Sequence, residues 1–471
     1  MPEQSRTGYL CPDGDTAAGA DDHPPPHPST LAPMSLTRRV LALAIPAFAA
    51  LIAQPLMTLA DTWIVGRLGT AQLAGLGVGA VILTTLTGLM VFLAYGSTAT
   101  VSRQVGAGNT RRALELGIQA MWLALVLGLA LAGAAFAGGD WLVAALGAKF
   151  DVATHAATYL RWALPGLPGM LVMLAATGTF RGLEDATTPL ALMVGSASLN
   201  FVLNLLFVFG LHLGIAGAAL GTAVAETALG LVAAALIARK ASSAGARRAP
   251  HLTDMWLNLT VGIPLMLRTL TLRVAILLTT YVATAQGAAA LAAHHIVMQV
   301  WNFLANALDA IAIAGQTIIG TALGASNRDE ARAFTSRMTR WAIGVGGVLG
   351  VLVLLTHRPL GAFFSPDPDV RGLTIWVFVI VAVALPLAGY VFLLDGVLIG
   401  AGDGPYLAKA GVVALAVYAP LARASLLLPK GQLGLVGLWL AFSFGYMGGR
   451  ALTLWWRARN DDWMRLGTHE S

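Results

Sequence analysis

Long apolar segments, separated by short polar ones, follow each other along almost the whole chain. Each segment is long enough to cross the roughly 30 Å hydrocarbon core of a bilayer as a helix rising about 1.5 Å per residue. Segments of this length are too long for membrane strands, so the pattern predicts an all-α integral membrane protein. The predicted helices number twelve and span residues 38–66, 73–101, 114–138, 160–182, 187–209, 213–239, 256–285, 291–322, 335–356, 373–400, 405–428 and 432–457.

The composition agrees with this pattern. The 471 residues are 57% hydrophobic and only 11% charged, whereas soluble domains carry roughly 25% charged residues. The net charge of +6 is modest, and the basic residues are spread over short loops, so no nucleic-acid partner is expected. The single cysteine, Cys11, excludes an internal disulfide framework and a thiolate metal site.

Polar segments divide the chain into two halves. Residues 1–34 are polar and rich in Pro, Gly and Asp, so they are interpreted as a disordered cytoplasmic tail. A polar linker is predicted at 241–254 and a second cytoplasmic tail at 459–471. Six predicted helices therefore fall in an N-terminal lobe, 35–240, and six in a C-terminal lobe, 255–458.

The basic residues of the loops predict the orientation in the membrane. If the amino terminus is inside, most Lys and Arg residues near helix ends fall on the cytoplasmic side, as in most membrane proteins. The pattern predicts a multi-pass protein of the cell's inner (plasma) membrane with both termini in the cytoplasm. The outer side receives only Arg67, Lys149, Arg358, Arg371 and Lys430, with Arg161 near an outer helix end.

The two halves repeat each other. VGAGNTRRA at 105–113 matches LGASNRDEA at 323–331, a shift of 218 residues (323 − 105), and the same shift places Pro46 on Pro264 and Asp185 on Asp403. Because six is an even number of helices, both halves have the same orientation. Such parallel repeats place a substrate site between the lobes near the middle of the membrane. The predicted architecture is two six-helix bundles around a central cavity.

One acid, Asp61, lies within the first apolar segment. An ionisable residue inside a membrane segment is costly and is a functional candidate by default. Asp61 and Asn204 each lie about five residues from the outer end of their segments, and Asn200 and Thr222 about nine. Asn200 and Asn204, four residues apart, share one helix face. These four residues are expected to share the outer half of the first lobe.

A buried carboxyl group among amides and hydroxyls can take up a proton on one side of the membrane and release it on the other. Proton coupling is therefore the favoured role for Asp61. The alternative is an acid at the membrane–water interface that pairs with Arg67. Thr279 stands opposite Asp61 in the repeat, so the second lobe lacks this acid.

Pro46 in the first helix permits two interpretations. A proline removes a backbone hydrogen bond and permits a bend in the helix. It is also tolerated near a helix start, and Pro264 repeats it in the second half. Both interpretations stay open on the residues alone.

Further charges lie inside predicted helices. Arg268 and Asp309 lie about twelve and thirteen residues from the cytoplasmic ends of consecutive antiparallel helices. Their equal depth predicts a charge pair, and buried pairs of this kind are more often structural than functional. Glu226 and Arg273 are further candidates. Asp395 lies near the cytoplasmic end of its helix, where it is interpreted first as a helix-end contact and second as a gate element.

Enzyme chemistry is not expected. The sequence contains no Walker A motif, no HExxH and no nucleophile elbow. No cofactor and no metal site are predicted. The GxxxG spacing of Gly217 and Gly221 indicates close helix packing, not a phosphate-binding loop.

From residue 34 onward the chain resembles the multidrug and toxic compound extrusion transporters, in particular the branch named after the DNA-damage-inducible protein F. Proton-coupled members of that family are thought to use an acid in a bendable helix 1 and polar partners on helices 5 and 6. The resemblance assigns these roles to Asp61, Pro46, Asn200, Asn204 and Thr222. Some members carry a second acid in helix 5 where this chain has Asn204. The motifs that carry the resemblance are IPAFAALIAQPLMTLADTWIVGRLG, VSRQVGAGN, FRGLEDATTP, NFVLNLLFVFGLHLGIAGAALGTAVAE and LDGVLIGAGD.

The resemblance and the residues together predict a secondary active exporter. It exchanges inward-moving protons for a small amphipathic, often cationic organic molecule while the two lobes rock about the cavity. The family implies a monomer in the lipid bilayer. The alternatives are sodium coupling, flipping of a lipid precursor as in related branches of the superfamily, and an integral-membrane enzyme.

Overall fold

A computed structural model describes residues 36–468 of the chain, and the predicted tail at 1–34 lies outside the described residues. Eleven described helices are long and apolar enough to cross a membrane. A twelfth apolar segment, α12, is built from three consecutive pieces, Gln432–Leu440, Ala441–Tyr446 and Met447–Ala458. The eleven are α1 (Leu36–Gly66), α2 (Thr70–Gly106), α3 (Thr110–Ala137), α4 (Phe150–Gly182), α5 (Thr187–Gly210), α6 (Gly214–Ser243), α7 (Leu252–Gln286), α8 (Ala288–Gly324), α9 (Arg328–Phe364), α10 (Pro368–Gly400) and α11 (Gly404–Leu427).

Several of the membrane helices contain a turn that is not α-helical. A 3₁₀ turn, Leu164–Gly166, interrupts α4 at Pro165, whose backbone lacks an N–H donor. Helix α5 ends in a π turn, Leu206–Gly210, and α12 contains a second, Ala441–Tyr446. The π turn in α12 explains why that segment is not one regular helix.

The predicted all-α membrane fold is confirmed. Following the internal repeat, we refer to α1–α6 as the first lobe and to α7–α12 as the second. The same contact between small residues recurs in both lobes. In the first lobe a Cβ at Gly128 would lie 2.6 Å from the Cα of Pro168. In the second lobe a Cβ at Gly346, 218 residues later, would lie 2.3 Å from the carbonyl oxygen of Leu385 and 2.9 Å from the Cα of Pro386. Glycine therefore permits the helix backbones to touch at equivalent places, as is common where van der Waals packing joins membrane helices.

The lobes meet tightly at one end of the molecule, the end at which α1 begins; we call it the N-terminal face. There α2 and α8 cross with their backbones in contact. A Cβ at Gly106 would lie 1.9 Å from the carbonyl oxygen of Thr321, and a Cβ at Gly324 would lie 2.0 Å from that of Arg103. Both pairs are related by the 218-residue shift, so the crossing follows the internal repeat. Only glycine fits at these two positions without a shift of backbone.

Polar contacts reinforce the closed N-terminal face. Arg39 of the first lobe pairs with Glu184 of its own lobe and with Glu330 of the second, the latter at 3.5 Å. The hydroxyl of Thr321 in the second lobe donates to Glu184 at 3.1 Å. These contacts connect the lobes through side chains that stay half-buried. They are positioned to break if the lobes separate at this face.

The segment predicted as a C-terminal tail, 459–471, packs on the same face as far as it is described. Trp463 is only 2% exposed. The backbone N–H of Gly467 donates to the carbonyl oxygen of Leu323 at 2.9 Å in the second lobe. The carbonyl oxygen of Gly467 accepts from Arg103 at 3.0 Å in the first lobe. One short segment thus holds both lobes together at the N-terminal face.

The loop motif FRGLEDATTP also has a structural explanation. Asp185 accepts a hydrogen bond from the backbone N–H of Thr188 at 3.0 Å at the start of α5. Burial acts to raise the pKa of Asp185, but bonds from the threonines and the charge of Lys240 outweigh it and hold that pKa below its usual range. Its counterpart in the repeat, Asp403, accepts from Arg457 at 2.6 Å. The two acids therefore organise equivalent loops.

Candidate functional site

The four polar residues predicted for the first lobe lie together in one hydrogen-bonded group. The amide nitrogen of Asn204 donates to Asp61 at 2.7 Å and to the side-chain oxygen of Asn200 at 3.2 Å. The amide nitrogen of Asn200 donates to the hydroxyl of Thr222 at 2.8 Å. Thr222 in turn donates to the carbonyl oxygen of Ala218 at 3.1 Å. Helices α1, α5 and α6 therefore meet at this polar group.

Close packing holds Asn204 in position. A Cβ at Gly221 would lie 2.0 Å from the side-chain oxygen of Asn204, so α6 must carry a glycine where α5 approaches it. The same oxygen is buried and accepts no hydrogen bond from the described residues. Buried polar atoms are usually paired, and an exception marks a functional position or an unobserved partner. The free acceptor lies on the residue that contacts Asp61.

Asp61 is shielded but is not part of an ion pair. Its side chain is 7% exposed, and among residues 36–468 it has no basic partner within ion-pair distance. Arg67 lies over the ring of Trp63, 4.1 Å from the ring centre. The alternative of an interfacial Asp61–Arg67 pair is therefore not what the structure shows.

A second acid extends the polar group. Glu226, one helical turn after Thr222 on α6, accepts a hydrogen bond from Ser196 at 3.2 Å and is 7% exposed. Tyr159 of α4 lies beside Thr222 and close enough to Asp61 for the two to interact electrostatically. Sequence reasoning did not single out Tyr159 or Ser196. The four-residue spacing of Ser196 from Asn200 was the available signal, since it places both on one face of α5.

Asp61, Thr222, Glu226 and Tyr159 of this group line a cavity of about 580 Å³. Asp61, Glu226 and Tyr159 contribute from the first lobe, and Arg273 and Asp309 from the second. The volume lies within the range of pockets that hold small organic molecules. Thioether side chains adapt to varied apolar shapes. The methionines of the lining are Met57, Met170, Met173 and Met193.

Helix α1 contains two prolines in its interior, Pro46 and Pro55. The interpretation of Pro46 as a proline near a helix start is therefore wrong, because α1 begins ten residues earlier, at Leu36. Sequence reasoning did not use Pro55, which lies only six residues before Asp61. Each proline leaves one carbonyl of the preceding turn without its helical donor. For Pro55 that residue is Leu51, which lines the cavity.

The predicted pairing of Arg268 with Asp309 is wrong. Arg268 instead forms an ion pair with Asp395 of α10, and Asp395 also pairs with Arg450 of α12. Equal depth placed Arg268 and Asp309 in one layer of the membrane but could not say which helices face each other. Asp309 lies near Tyr95, Arg181 and Arg268 without a direct ion pair among the described residues.

Asp395 is also not the helix-end contact that its position indicated. It is 2% exposed, and Arg450 is 3% exposed. A carboxylate buried between two guanidinium groups connects three helices of the second lobe, α7, α10 and α12. Arg450 was missed because its segment was treated as uniformly apolar.

The second lobe fills the place of the polar group with aromatic rings. Thr279, the counterpart of Asp61, makes a 2.6 Å hydrogen bond with the hydroxyl of Tyr418, which is the counterpart of Asn200 at the shift of 218. Phe442 stands where the shift of 220 places Thr222, and it stacks on Tyr446 with 5.9 Å between ring centres. The repeat therefore conserves the helix skeleton, but only the first lobe carries the acid–amide group.

Two repeated sets of apolar helices that line a cavity are the architecture of a multi-pass membrane transporter. The MatE family model matches residues 46–206 and 256–423, one match in each lobe. The chain belongs to the MatE family, which confirms the resemblance found in its motifs.

Individual relatives agree with this assignment. The chain is 29% identical over 443 residues to "Protein DETOXIFICATION 44, chloroplastic" of Arabidopsis thaliana, covering 91% of this chain and 83% of that protein. It is 29% identical over 435 residues to the DNA damage-inducible protein F of Escherichia coli (strain K12), covering 89% and 92%. The crystal structure of the Vibrio cholerae MATE transporter VcmN in the bent form superposes with a TM-score of 0.81 at 23% identity, covering 92% of this chain and 97% of that one. At this identity the structural match shows the fold alone.

Proposed function

We propose that the protein is a proton-driven exporter of small amphipathic organic compounds. The observation that carries the proposal is Asp61: a shielded carboxyl group that faces the cavity, accepts a hydrogen bond from the amide of Asn204 and lacks a cationic partner. A carboxyl group in such surroundings can exist in both protonation states, and its charge changes with each proton bound. The acids and methionines of the cavity fit apolar compounds that also carry positive charge.

The amide of Asn204 can respond to the protonation state of Asp61. In the present arrangement its NH₂ group donates to the Asp61 carboxylate, as an ionised acid requires. A protonated Asp61 becomes a donor and needs an acceptor. The unused side-chain oxygen of Asn204 becomes that acceptor if the amide rotates. Such a rotation also breaks the hydrogen bond from Asn204 to Asn200. Because Asn200 in turn bonds to Thr222, protonation of Asp61 changes the hydrogen bonding of α5 and α6.

The orientation follows from the loop charges. We place the N-terminal face in the cytoplasm of the cell, with the protein in its inner membrane, because the basic loops fall on that face. The closed N-terminal face then corresponds to the outward-facing state of a single chain acting as a monomer. Asp61 lies near the opposite end of α1, five residues before Gly66, where it can take up an external proton.

A gradient experiment tests the coupling. Purified protein in proteoliposomes is given either a proton gradient or a sodium gradient, and uphill movement of a cationic fluorescent dye is measured. The proton gradient alone is expected to drive the dye, because the Asp61 carboxylate is hydrogen-bonded to the amide of Asn204 and not paired with a second carboxylate in a cation site. Sodium-driven movement in the absence of a proton gradient would contradict the proposal. Movement of a lipid-linked sugar, with no movement of dye, would instead support a flippase.

A further inference from the structure

The cavity carries positive as well as negative groups. Asp61, Glu226 and Asp309 line it together with two arginines, Arg181 and Arg273. A cavity that received only cations would gain nothing from arginine in its wall, since like charges repel. The two arginines therefore require a separate explanation.

Arg273 reaches from the second lobe to the first. It belongs to α7, and its guanidinium nitrogen Nη2 lies 2.6 Å from the place a Cβ would occupy at Gly88 of α2. Glycine at position 88 thus leaves space for the guanidinium at the boundary between the lobes. Both residues line the cavity.

Arg273 has no partner among the described residues. No ion pair, hydrogen bond or ring contact involves its guanidinium within residues 36–468. Arg268, five residues earlier on the same helix, is by contrast paired with Asp395. An arginine inside a membrane protein is costly unless it is paired or faces a water-filled cavity, and one without a partner marks a binding or transport site.

The chemistry of the guanidinium defines the ligand. Its planar fork of N–H donors matches a carboxylate with two parallel hydrogen bonds, and such charge-assisted bonds are stronger than neutral ones. We propose that Arg273 forms a carboxylate subsite, so that the exported compounds include amphipathic molecules with a free carboxyl group. This inference rests on the proposed export function. Asp61 and Glu226 then face the cationic or polar part of the same molecule.

A matched pair of ligands tests the subsite. A rhodamine dye is used as its free carboxylic acid and as its methyl ester, which differ in the charge at one group. Binding of both forms to the purified protein in detergent is measured by fluorescence polarisation. Loss of a hydrogen bond to a charged group costs about 1.5–3 kcal/mol, so Arg273→Gln is expected to weaken binding of the acid by about tenfold or more. Binding of the ester is expected to change less than about twofold.

Two further variants separate the subsite from a structural effect. Gly88→Val is expected to displace the guanidinium of Arg273 and to weaken binding of the acid but not of the ester. Arg273→Lys keeps the charge but not the planar fork, so it is expected to retain part of the affinity for the acid. Arg358→Gln removes the same charge from an exposed position outside the cavity and is the control. Equal losses for acid and ester in Arg273→Gln, or no loss for either, would overturn the subsite.

The binding assay keeps this inference separate from the export function. If the wild type shows no gradient-driven movement of either dye but Arg273→Gln still loses the acid selectively, the export function fails and the subsite stands. If the wild type exports both forms and Arg273→Gln exports and binds both as the wild type does, the subsite fails and the export function stands.

Discussion

Replacing Gly106 with valine is expected to lower export by about tenfold, because the new side chain would occupy the place of the Thr321 carbonyl oxygen, 1.9 Å from the Cβ. Forcing atoms into a packed interface costs about 1–3 kcal/mol, and 1.4 kcal/mol is a factor of ten in an equilibrium constant. The conformation with a closed N-terminal face would be destabilised by that free energy relative to the conformation in which this face is open. Gly324→Val is expected to behave the same way, since the repeat gives it the equivalent contact with Arg103.

The opening can be measured directly. Ala310 is 2% exposed in an apolar cluster with Ala47, between α8 and α1. A cysteine at Ala310, in a chain whose single native Cys11 is changed to serine, reports access from the N-terminal face through its reaction with an impermeant thiol reagent. Gly106→Val is expected to accelerate that reaction. Gly133→Val is the control, because no atom lies within 4 Å of a Cβ at Gly133. Wild-type export and labelling in Gly106→Val would contradict the role of the crossing.

Asp395→Asn is expected to destabilise the protein by about 3–5 kcal/mol, because it leaves two buried guanidinium groups without their counter-charge. Arg268 and Arg450 both depend on this carboxylate, and Arg450 is 3% exposed. The measurement is thermal unfolding of the purified protein in detergent. An exposed ion pair contributes only about 0–1 kcal/mol, so Asp461→Asn, which removes one of the two acidic partners of Arg332, should unfold close to the wild-type temperature.

The explanation by uncompensated charge has its own test. The triple variant Asp395→Leu, Arg268→Met, Arg450→Met replaces the whole group by apolar side chains, which is often neutral or stabilising for buried ion pairs. It is expected to recover most of the stability lost in Asp395→Asn. A triple variant no more stable than the single one would show that packing, not unpaired charge, causes the loss.

The apolar pattern was sufficient to predict the helices, because each membrane-spanning helix needs an uninterrupted apolar stretch long enough to cross the hydrocarbon core. Counting from helix ends was sufficient to bring Asp61 together with Asn204, since residues at one depth on neighbouring helices can meet. The same counting failed for Arg268 and Asp309. Depth along the membrane normal does not determine the direction in which a side chain leaves its helix, and Arg268 faces α10.

Other features had weak or no signals in the sequence. The aromatic replacement of the polar group by Tyr418 and Phe442 becomes visible only when the shift of 218 is extended to α11 and that of 220 to α12. Folding of the C-terminal segment onto both lobes depends on the backbone of Gly467, and backbone hydrogen bonds have no compositional signature. The sequence repeat pairs Gly106 with Gly324, but that both glycines touch the backbone of the opposite lobe is visible only in the three-dimensional structure.

The central claim is that Asp61 carries the proton that drives export. Addition of substrate to proteoliposomes should start a proton flux across the membrane, recorded with a pH-sensitive dye, in the wild type. Asp140→Asn, which neutralises an acid whose side chain is 78% exposed, should preserve that flux. Asp61→Asn, with normal folding and retained substrate binding, is predicted to abolish it. A substrate-dependent proton flux at the wild-type rate in Asp61→Asn would contradict the account.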